Sequence, residues 1–276
     1  MYPYPILLDM TLYEILIVLG FVLCVATYRF HADRKGYPAG LENLTILGGT
    51  GGIALGYYAA VLVQAFYNYL DSGVWELSSS TGATFLGGLM GGVITFFAVY
   101  LIGSALLYRG KENIALRRIG PNCDIVITCV VIAHAFGRLG CLFAGCCHGA
   151  VVEGFPGLWN ESVGAYTIPI PLYEALFLLA LYVFLSIGLI RGWGHQLSVY
   201  LASYGVWRFF IEFFRADDRG QTIVPFLSPS QLMSLVMIGL SILLFLLRRR
   251  KKSGRSEIST EFPTDSGENH VESGEN

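Results

Sequence analysis

Charge is what this sequence has least of. Only 14% of its 276 residues are Asp, Glu, Lys or Arg, where soluble domains carry about 25%. With 54% hydrophobic residues and a mean hydropathy of +0.57, that shortage excludes an ordinary soluble domain. The start lacks a polar n-region followed by a small-residue cleavage site, so the first apolar run is expected to stay as a helix rather than be removed. Basic residues are missing from two of the inter-segment loops, and this absence carries the topology.

What is present is a series of seven apolar segments, near 12–30, 44–68, 84–108, 124–143, 171–190, 196–214 and 228–247. Each is about 20 residues, the length that crosses a bilayer as a helix. The expected fold class is therefore all-α: a polytopic membrane protein with seven transmembrane helices. Lys and Arg follow the first, third, fifth and seventh segments (Arg29, Arg34, Lys35; Arg109, Lys111, Arg117, Arg118; Arg191; Arg248 to Lys252). The loops after the second and fourth hold none, and the loop after the sixth holds Arg215 and Arg219. The positive-inside rule then predicts an amino terminus outside and a carboxyl terminus in the cytoplasm. Three regions follow: a short periplasmic leader over 1–11, a seven-helix membrane domain over 12–247, and a basic stop with a disordered cytoplasmic tail over 248–276, whose Ser/Glu/Gly-rich composition cannot build a core. Gly48, Gly49, Gly51, Gly52 and Gly56 in the second segment permit close helix approach.

The sixth segment breaks the apolar rule. It reads Tyr204-Gly-Val-Trp-Arg208-Phe-Phe-Ile-Glu212-Phe-Phe-Arg215, and each buried charge costs about 2.5–3.5 kcal/mol on insertion scales. Residues 204, 208 and 212 step by four and share one helical face, which Arg215 continues. Phe209, Phe210, Phe213 and Phe214 supply an apolar surround. The stretch reads either as an ion pair that fixes packing or as an anion site within the membrane.

A second arginine, Arg138, stands near the end of the fourth segment, with His134 one turn before it and Cys141 nearly one turn after. Two arginines that cannot lose their protons need anionic partners. A phosphate matches the guanidinium fork, and in a bilayer phosphates belong to lipids; internal carboxylates, Glu212, Glu174 or Glu14, are the other solution. Cys141, Cys146, Cys147 and His148 follow a C-x4-C-C-H spacing that matches no strong zinc pattern, so no metal is expected there. An outward-side disulfide and inert buried thiols both remain open.

Four motifs give the chain a resemblance that runs from about residue 13 to 247: Gly137-Arg138-Leu-Gly140, Pro171-Leu-Tyr-Glu174-Ala, Tyr204-Gly-x-x-Arg208-x-x-x-Glu212-Phe-Phe-Arg215 and Leu227-Ser-x-x-Gln231-Leu-x-Ser-Leu. It resembles the phosphatidylglycerol:prolipoprotein diacylglyceryl transferases of bacterial inner membranes. The resemblance implies a multi-pass protein of the cytoplasmic membrane that moves a diacylglyceryl group from phosphatidylglycerol to the lipobox cysteine thiol in a prolipoprotein signal peptide, releasing glycerol phosphate. It implies no cofactor and no nucleic-acid partner. Arg138 and Arg208 would stabilise the leaving phosphate, Glu212 would orient Arg208, and Tyr204 would hydrogen-bond the headgroup. Arg215, Tyr13, Gly149, Glu174, Gly87, Gly88 and Cys141 complete the expected binding set. The sequence departs from the family where a His-Gly-Gly motif is expected, reading Leu86-Gly87-Gly88, and where Asn and Glu residues are expected it has Cys141, Ala144 and Cys146. The family arginine of the second segment has no counterpart in Gly52-Ile-Ala-Leu-Gly56. Thiol activation, typically worth 10²–10⁴-fold, then falls to His134 or a cysteine thiolate. Three other readings stand beside the transferase: a relative with another acceptor, a non-catalytic lipid-binding or lipid-transport protein, and a thiol oxidoreductase, which would lack a Cys-x-x-Cys pair.

Overall fold

Helices whose surfaces stay apolar after folding dominate the computed structural model, which describes residues 1, 3–7, 9–78, 81–109, 114–215 and 227–261. A short hairpin, β1 (Pro5–Leu7) and β2 (Met10–Thr11), leads into α1 (Leu12–Arg34). There follow α2 (Ala39–Ser72), α3 (Phe85–Leu107) and α4 (Ile114–Ala144). A second hairpin, β3 (Leu158–Asn160) and β4 (Ala165–Thr167), precedes α5 (Ile170–Ile190) and α6 (Gln196–Ile211). A 3₁₀ turn, Glu212–Phe214, extends α6, and α7 covers Pro229–Glu261.

Six of these helices are long and apolar enough to cross a membrane: Leu12–Arg34, Ala39–Ser72, Leu86–Leu107, Ile114–Ala144, Ile170–Ile190 and Pro229–Arg249. Side chains such as Ile53 and Ile94, each 63% exposed, point away from the protein, as lipid-facing residues do. The chain is a polytopic, mostly helical membrane protein. The expected sixth segment forms a helix of 16 residues, shorter than the others. α7 continues past Arg248, and residues 262–276 of the expected tail lie outside the described residues, as do Lys111 and Arg219.

Local chemistry sets the helix ends. Thr11 and Glu14 form a capping box at the start of α1: the Thr11 amide donates to Glu14 Oε2 at 2.7 Å, and the Glu14 amide donates to Thr11 Oγ1 at 3.4 Å. Gly73, at φ 71°, closes α2 in the left-handed conformation.

The helices pack in two groups. α2 and α3 press together along small residues: a Cβ at Gly52 would stand 2.9 Å from the Gly92 carbonyl oxygen, and one at Gly56 2.9 Å from that of Gly88. α4 is central to the other group, lying against α1, α5 and α6 while α7 covers α6. A buried polar network joins the groups, with Tyr28 donating to Asn122 Oδ1 at 2.9 Å and Asn122 Nδ2 to Thr45 Oγ1 at 3.0 Å.

At one end of α4, Arg248 Nη1 lies 2.7 Å from Asp124 Oδ2, while Asp124 Oδ1 accepts the Leu197 amide at 2.9 Å and so caps the start of α6. A cavity of about 560 Å³ opens beside this pair, lined in part by Lys35, Arg117, Trp193 and Arg248. The basic ends of the helices gather here. The other end of α4 meets the start of α5 and the end of α6, which in turn holds the start of α7, and there the buried charges of these helices gather.

Candidate active site

α4, α5 and α6 bring Arg138, Glu174 and Tyr204 together. Glu174, in the first turns of α5, has a side chain with no exposure at all, and its Oε1 lies 3.2 Å from Arg138 Nε. The same oxygen accepts the Tyr204 hydroxyl at 2.7 Å. Arg138 Nε also donates to His134 Nε2 at 3.3 Å, so that nitrogen is an acceptor and the neutral ring carries its proton on Nδ1. The Tyr204 ring stacks on Tyr200 and meets His134 edge-on, with centroids 5.6 and 5.0 Å apart.

One turn along α6, Arg208 Nη2 sits 2.8 Å from Glu212 Oε2 and donates to Ser230 Oγ at 2.9 Å. Ser228 Oγ donates to Glu212 Oε1 at 2.9 Å. The Arg215 side chain is buried, with Nε 3.9 Å from Glu212 Oε2. Arg208 Nη1 and Glu174 Oε2 are among the buried atoms that have no hydrogen-bond partner within the described residues. A buried donor left unmet costs about 1–3 kcal/mol, more when charged, so two such atoms within one charged cluster make it a candidate ligand site.

The stepping of 204, 208 and 212 puts all three side chains inward, yet Tyr204 pairs with Glu174 across the helix interface rather than with Arg208. Phe210, Phe213 and Phe214 are exposed and face outward. The two carboxylate partners are Glu174 for Arg138 and Glu212 for Arg208. Glu14, the third carboxylate considered, is instead committed to the α1 cap, an arrangement that a hydropathy reading does not anticipate.

Tyr13 and Gly149 frame this end. A Cβ at Gly140 would meet Tyr13 Cδ2 at 3.0 Å, so Gly140 lets α1 lie against α4. Gly149 forms a backbone bridge with Arg215, and a Cβ there would come within 2.6 Å of the Phe214 carbonyl. That glycine ties the loop after α4 to the end of α6. Gly87 and Gly88 stand elsewhere: Cβ atoms there would meet Val63 and Ala60 of α2, within the α2–α3 seam.

The cysteines converge. α4 ends in a Schellman turn, with Cys146 N–H on the Cys141 carbonyl, Gly145 N–H on the Leu142 carbonyl, both at 3.2 Å, and Gly145 at φ 74°. Cys147 then adopts φ 59°, rare for a residue with a side chain. The result is that the Cys141, Cys146 and Cys147 sulfurs lie within 4.8 Å of one another. All three are free thiols. Cys147 titrates below its ordinary range, because hydrogen bonds from Cys141 and Cys146 stabilise its thiolate and the Arg215 guanidinium adds to them. Buried Asn160 braces the loop, Nδ2 donating to the Gly145 carbonyl at 2.9 Å.

Sequence reasoning missed Ser230 and Asn160, and included Ser228 only as part of a motif. Ser230 stands one residue from Gln231 in that motif, whereas nothing in the sequence distinguishes Asn160 from any loop asparagine.

The arrangement sets two guanidiniums, each on its own buried carboxylate, at one end of the bundle with a cluster of thiols. The family model described as prolipoprotein diacylglyceryl transferase matches residues 5–247. A phosphatidylglycerol–prolipoprotein diacylglyceryl transferase of Clostridium tetani is 30% identical over 248 residues, covering 87% of this chain and 94% of its own length. One named diacylglyceryl transferase 2, from Clostridium perfringens, is 29% identical over 255 residues, with 89% and 93% covered. Another, from Dehalococcoides mccartyi, is 26% identical over 252 residues, with 87% and 90% covered. The chain belongs to the prolipoprotein diacylglyceryl transferase family.

Proposed function

We propose that this protein transfers the diacylglyceryl group of phosphatidylglycerol to the lipobox cysteine thiol of prolipoproteins, releasing glycerol phosphate, at the outer side of the bacterial cytoplasmic membrane. The observation that carries the reading is the buried Arg208 Nη1 without a partner among the described residues, in a cluster that also holds Arg138. The acceptor sulfur attacks the glyceryl carbon, and the carbon–oxygen electron pair leaves on a phosphate oxygen. Developing charge on that oxygen is what Arg138 and Arg208 stabilise, in a site prepared before reaction.

Glu212 and Ser230 fix the Arg208 fork, and Glu174 fixes Arg138 with help from His134. His134 positions the guanidinium, because its Nε2 lone pair is engaged by Arg138. Tyr204 holds Glu174, its hydroxyl proton donated to Oε1. The outward-facing phenylalanines of α6 meet acyl chains.

The topology follows the same logic. α6 spans about 24 Å at 1.5 Å per residue, and the 3₁₀ turn adds about 6 Å, matching a hydrocarbon core of about 30 Å. Seven crossings then put the basic end of α4 in the cytoplasm and the Arg138 end outside, with the amino terminus outside and the carboxyl terminus inside. Residues 1–11 form the periplasmic leader and residues beyond 247 the cytoplasmic tail.

The test is to incubate purified protein with phosphatidylglycerol and a lipobox peptide and weigh the peptide. A diacylglyceryl-sized gain on the cysteine, absent with Arg208→Ala, is expected. Bound lipid with no gain in mass from the native chain would leave a lipid-binding protein or a different acceptor.

A further inference from the structure

The geometry points to a metal site formed by Cys141, Cys146 and Cys147, which takes a soft or borderline dication such as Zn²⁺ and leaves one position for the acceptor thiol. The inference rests on the transferase reading for its final ligand, while metal binding itself does not.

Four observations carry it. The three sulfurs lie within 4.8 Å of one another, near the separation of about 3.8 Å that 2.3 Å zinc–sulfur bonds impose in a tetrahedron. Small rotations about the side chains close that difference. The arrangement is built by the backbone: a Schellman turn folds Cys146 back on Cys141, left-handed Cys147 returns its sulfur, and buried Asn160 holds the Gly145 carbonyl. Non-glycine residues in that conformation concentrate at functional sites. Among the described residues no histidine or carboxylate joins the group, so a tetrahedral ion keeps a fourth position for an outside ligand, the mark of a catalytic rather than a structural site.

The fourth observation is location. The buried Arg215 guanidinium contacts Cys147 and lies beside Glu212, which holds Arg208. Cys141 is one turn from Arg138 on α4. A metal here sits beside the phosphate ester's place, and Arg215 offsets the negative charge that three thiolates add to a dication.

The chemistry has a use for such a group. A thiol attacks carbon well only as thiolate, and His134 has its Nε2 lone pair committed. Binding of the acceptor thiol to Zn²⁺ releases its proton to water and leaves a metal-bound thiolate. That sulfur forms the carbon–sulfur bond, the carbon–oxygen bond breaks, and its electron pair leaves with glycerol phosphate. The product is a neutral thioether, a weak ligand that departs and reopens the position.

The test uses the full chain in detergent, reduced and charged with Co²⁺ as a spectroscopic probe, with Zn²⁺ for content and activity. One Co²⁺ per chain is expected, with near-ultraviolet thiolate charge transfer and intense tetrahedral bands. Cys146→Ser and Cys147→Ser should each weaken binding at least about 100-fold, more than loss of an outer-shell contact. A lipobox peptide should raise the charge-transfer band by about a third, as a fourth thiolate joins three, and a serine-for-cysteine peptide should leave it unchanged. Stripping the metal with chelator should slow peptide modification, and Zn²⁺ should restore it. Stoichiometry no higher than that of the Cys141→Ser, Cys146→Ser, Cys147→Ser chain overturns the site, as does a disulfide found by thiol counting in the metal-charged protein. A bound Co²⁺ whose spectrum ignores the cysteine peptide, or a transfer rate indifferent to stripping, overturns the acceptor role. Arg208→Ala separates this inference from the transferase reading: it should bind Co²⁺ normally while transferring nothing. A native chain that binds Co²⁺ as expected but modifies no peptide would instead sink the transferase reading and leave the metal site standing.

Discussion

Asp124 and Glu174 are both buried carboxylates facing an arginine across a helix interface, at opposite ends of the same bundle. Around Asp124 the bonding is complete: Oδ2 meets Arg248, Oδ1 accepts the Leu197 amide, and Arg248 Nη2 reaches the Gly120 carbonyl at 3.4 Å. Around Glu174 and Arg208 it is not, with Glu174 Oε2 and Arg208 Nη1 unmet among the described residues. An ion pair that consumes its own hydrogen-bonding capacity holds helices together. One that leaves donors over is prepared for something else, and the cost of that preparation is borne by the surrounding packing.

Substitutions at the two ends should separate them. Glu174→Gln should cost the most stability, about 3–5 kcal/mol, because it removes the fully buried charge that Arg138 faces; thermal unfolding in detergent measures it, and a loss below 1 kcal/mol would mean that Arg138 has other support. Asp124→Asn should cost less, about 1–3 kcal/mol, since an amide oxygen can still accept the Leu197 amide and Arg248 also reaches the Gly120 carbonyl, and should keep the transfer rate within about threefold. A large fall in rate with little unfolding would erase the distinction between the two ends.

Tyr204→Phe removes one hydrogen bond to Glu174 and should slow transfer about tenfold, the equivalent of about 1.4 kcal/mol, with little change in unfolding. The smallest effects on transfer belong to the α2–α3 seam. Gly52→Ala would press a Cβ to 2.9 Å from the Gly92 carbonyl oxygen and should cost about 1–3 kcal/mol. Gly88→Ala meets Ala60 Cβ at an ordinary 3.4 Å and should cost under about 1 kcal/mol. If Gly88→Ala instead abolishes transfer at unchanged stability, α3 contributes to the site in a way its packing does not indicate.

The same contrast explains what the sequence made legible. Hydropathy located each α-helix among the described residues, and six of them are long and apolar enough to cross a membrane. It placed their ends less well: α2 starts at Ala39 and stops at Ser72, beyond the apolar stretch, since helices continue into the interface where polar residues are tolerated. The two hairpins, with strands of two or three residues, are too short to leave an alternating pattern. Arg138, Arg208, Glu212 and Tyr204 were legible because a charge or phenol inside an apolar run stands out. Their pairing was not: the spacing on α6 suggests Tyr204 beside Arg208, and only the approach of α5 makes Glu174 its partner. The sulfur cluster was hidden for a similar reason, since C-x4-C-C becomes compact only through the left-handed turn at Cys147.

On this reading the incompletely bonded arginine end carries the chemistry and the completed end does not. Single-turnover transfer from phosphatidylglycerol to a lipobox peptide, measured for Arg208→Ala and Arg248→Ala beside the native chain, tests it directly. Arg208→Ala should lose about 10³-fold or more, in line with removal of an electrostatic transition-state donor, while Arg248→Ala should stay within about threefold of the native rate. Equal losses in both, or a native rate in Arg208→Ala, would contradict the account.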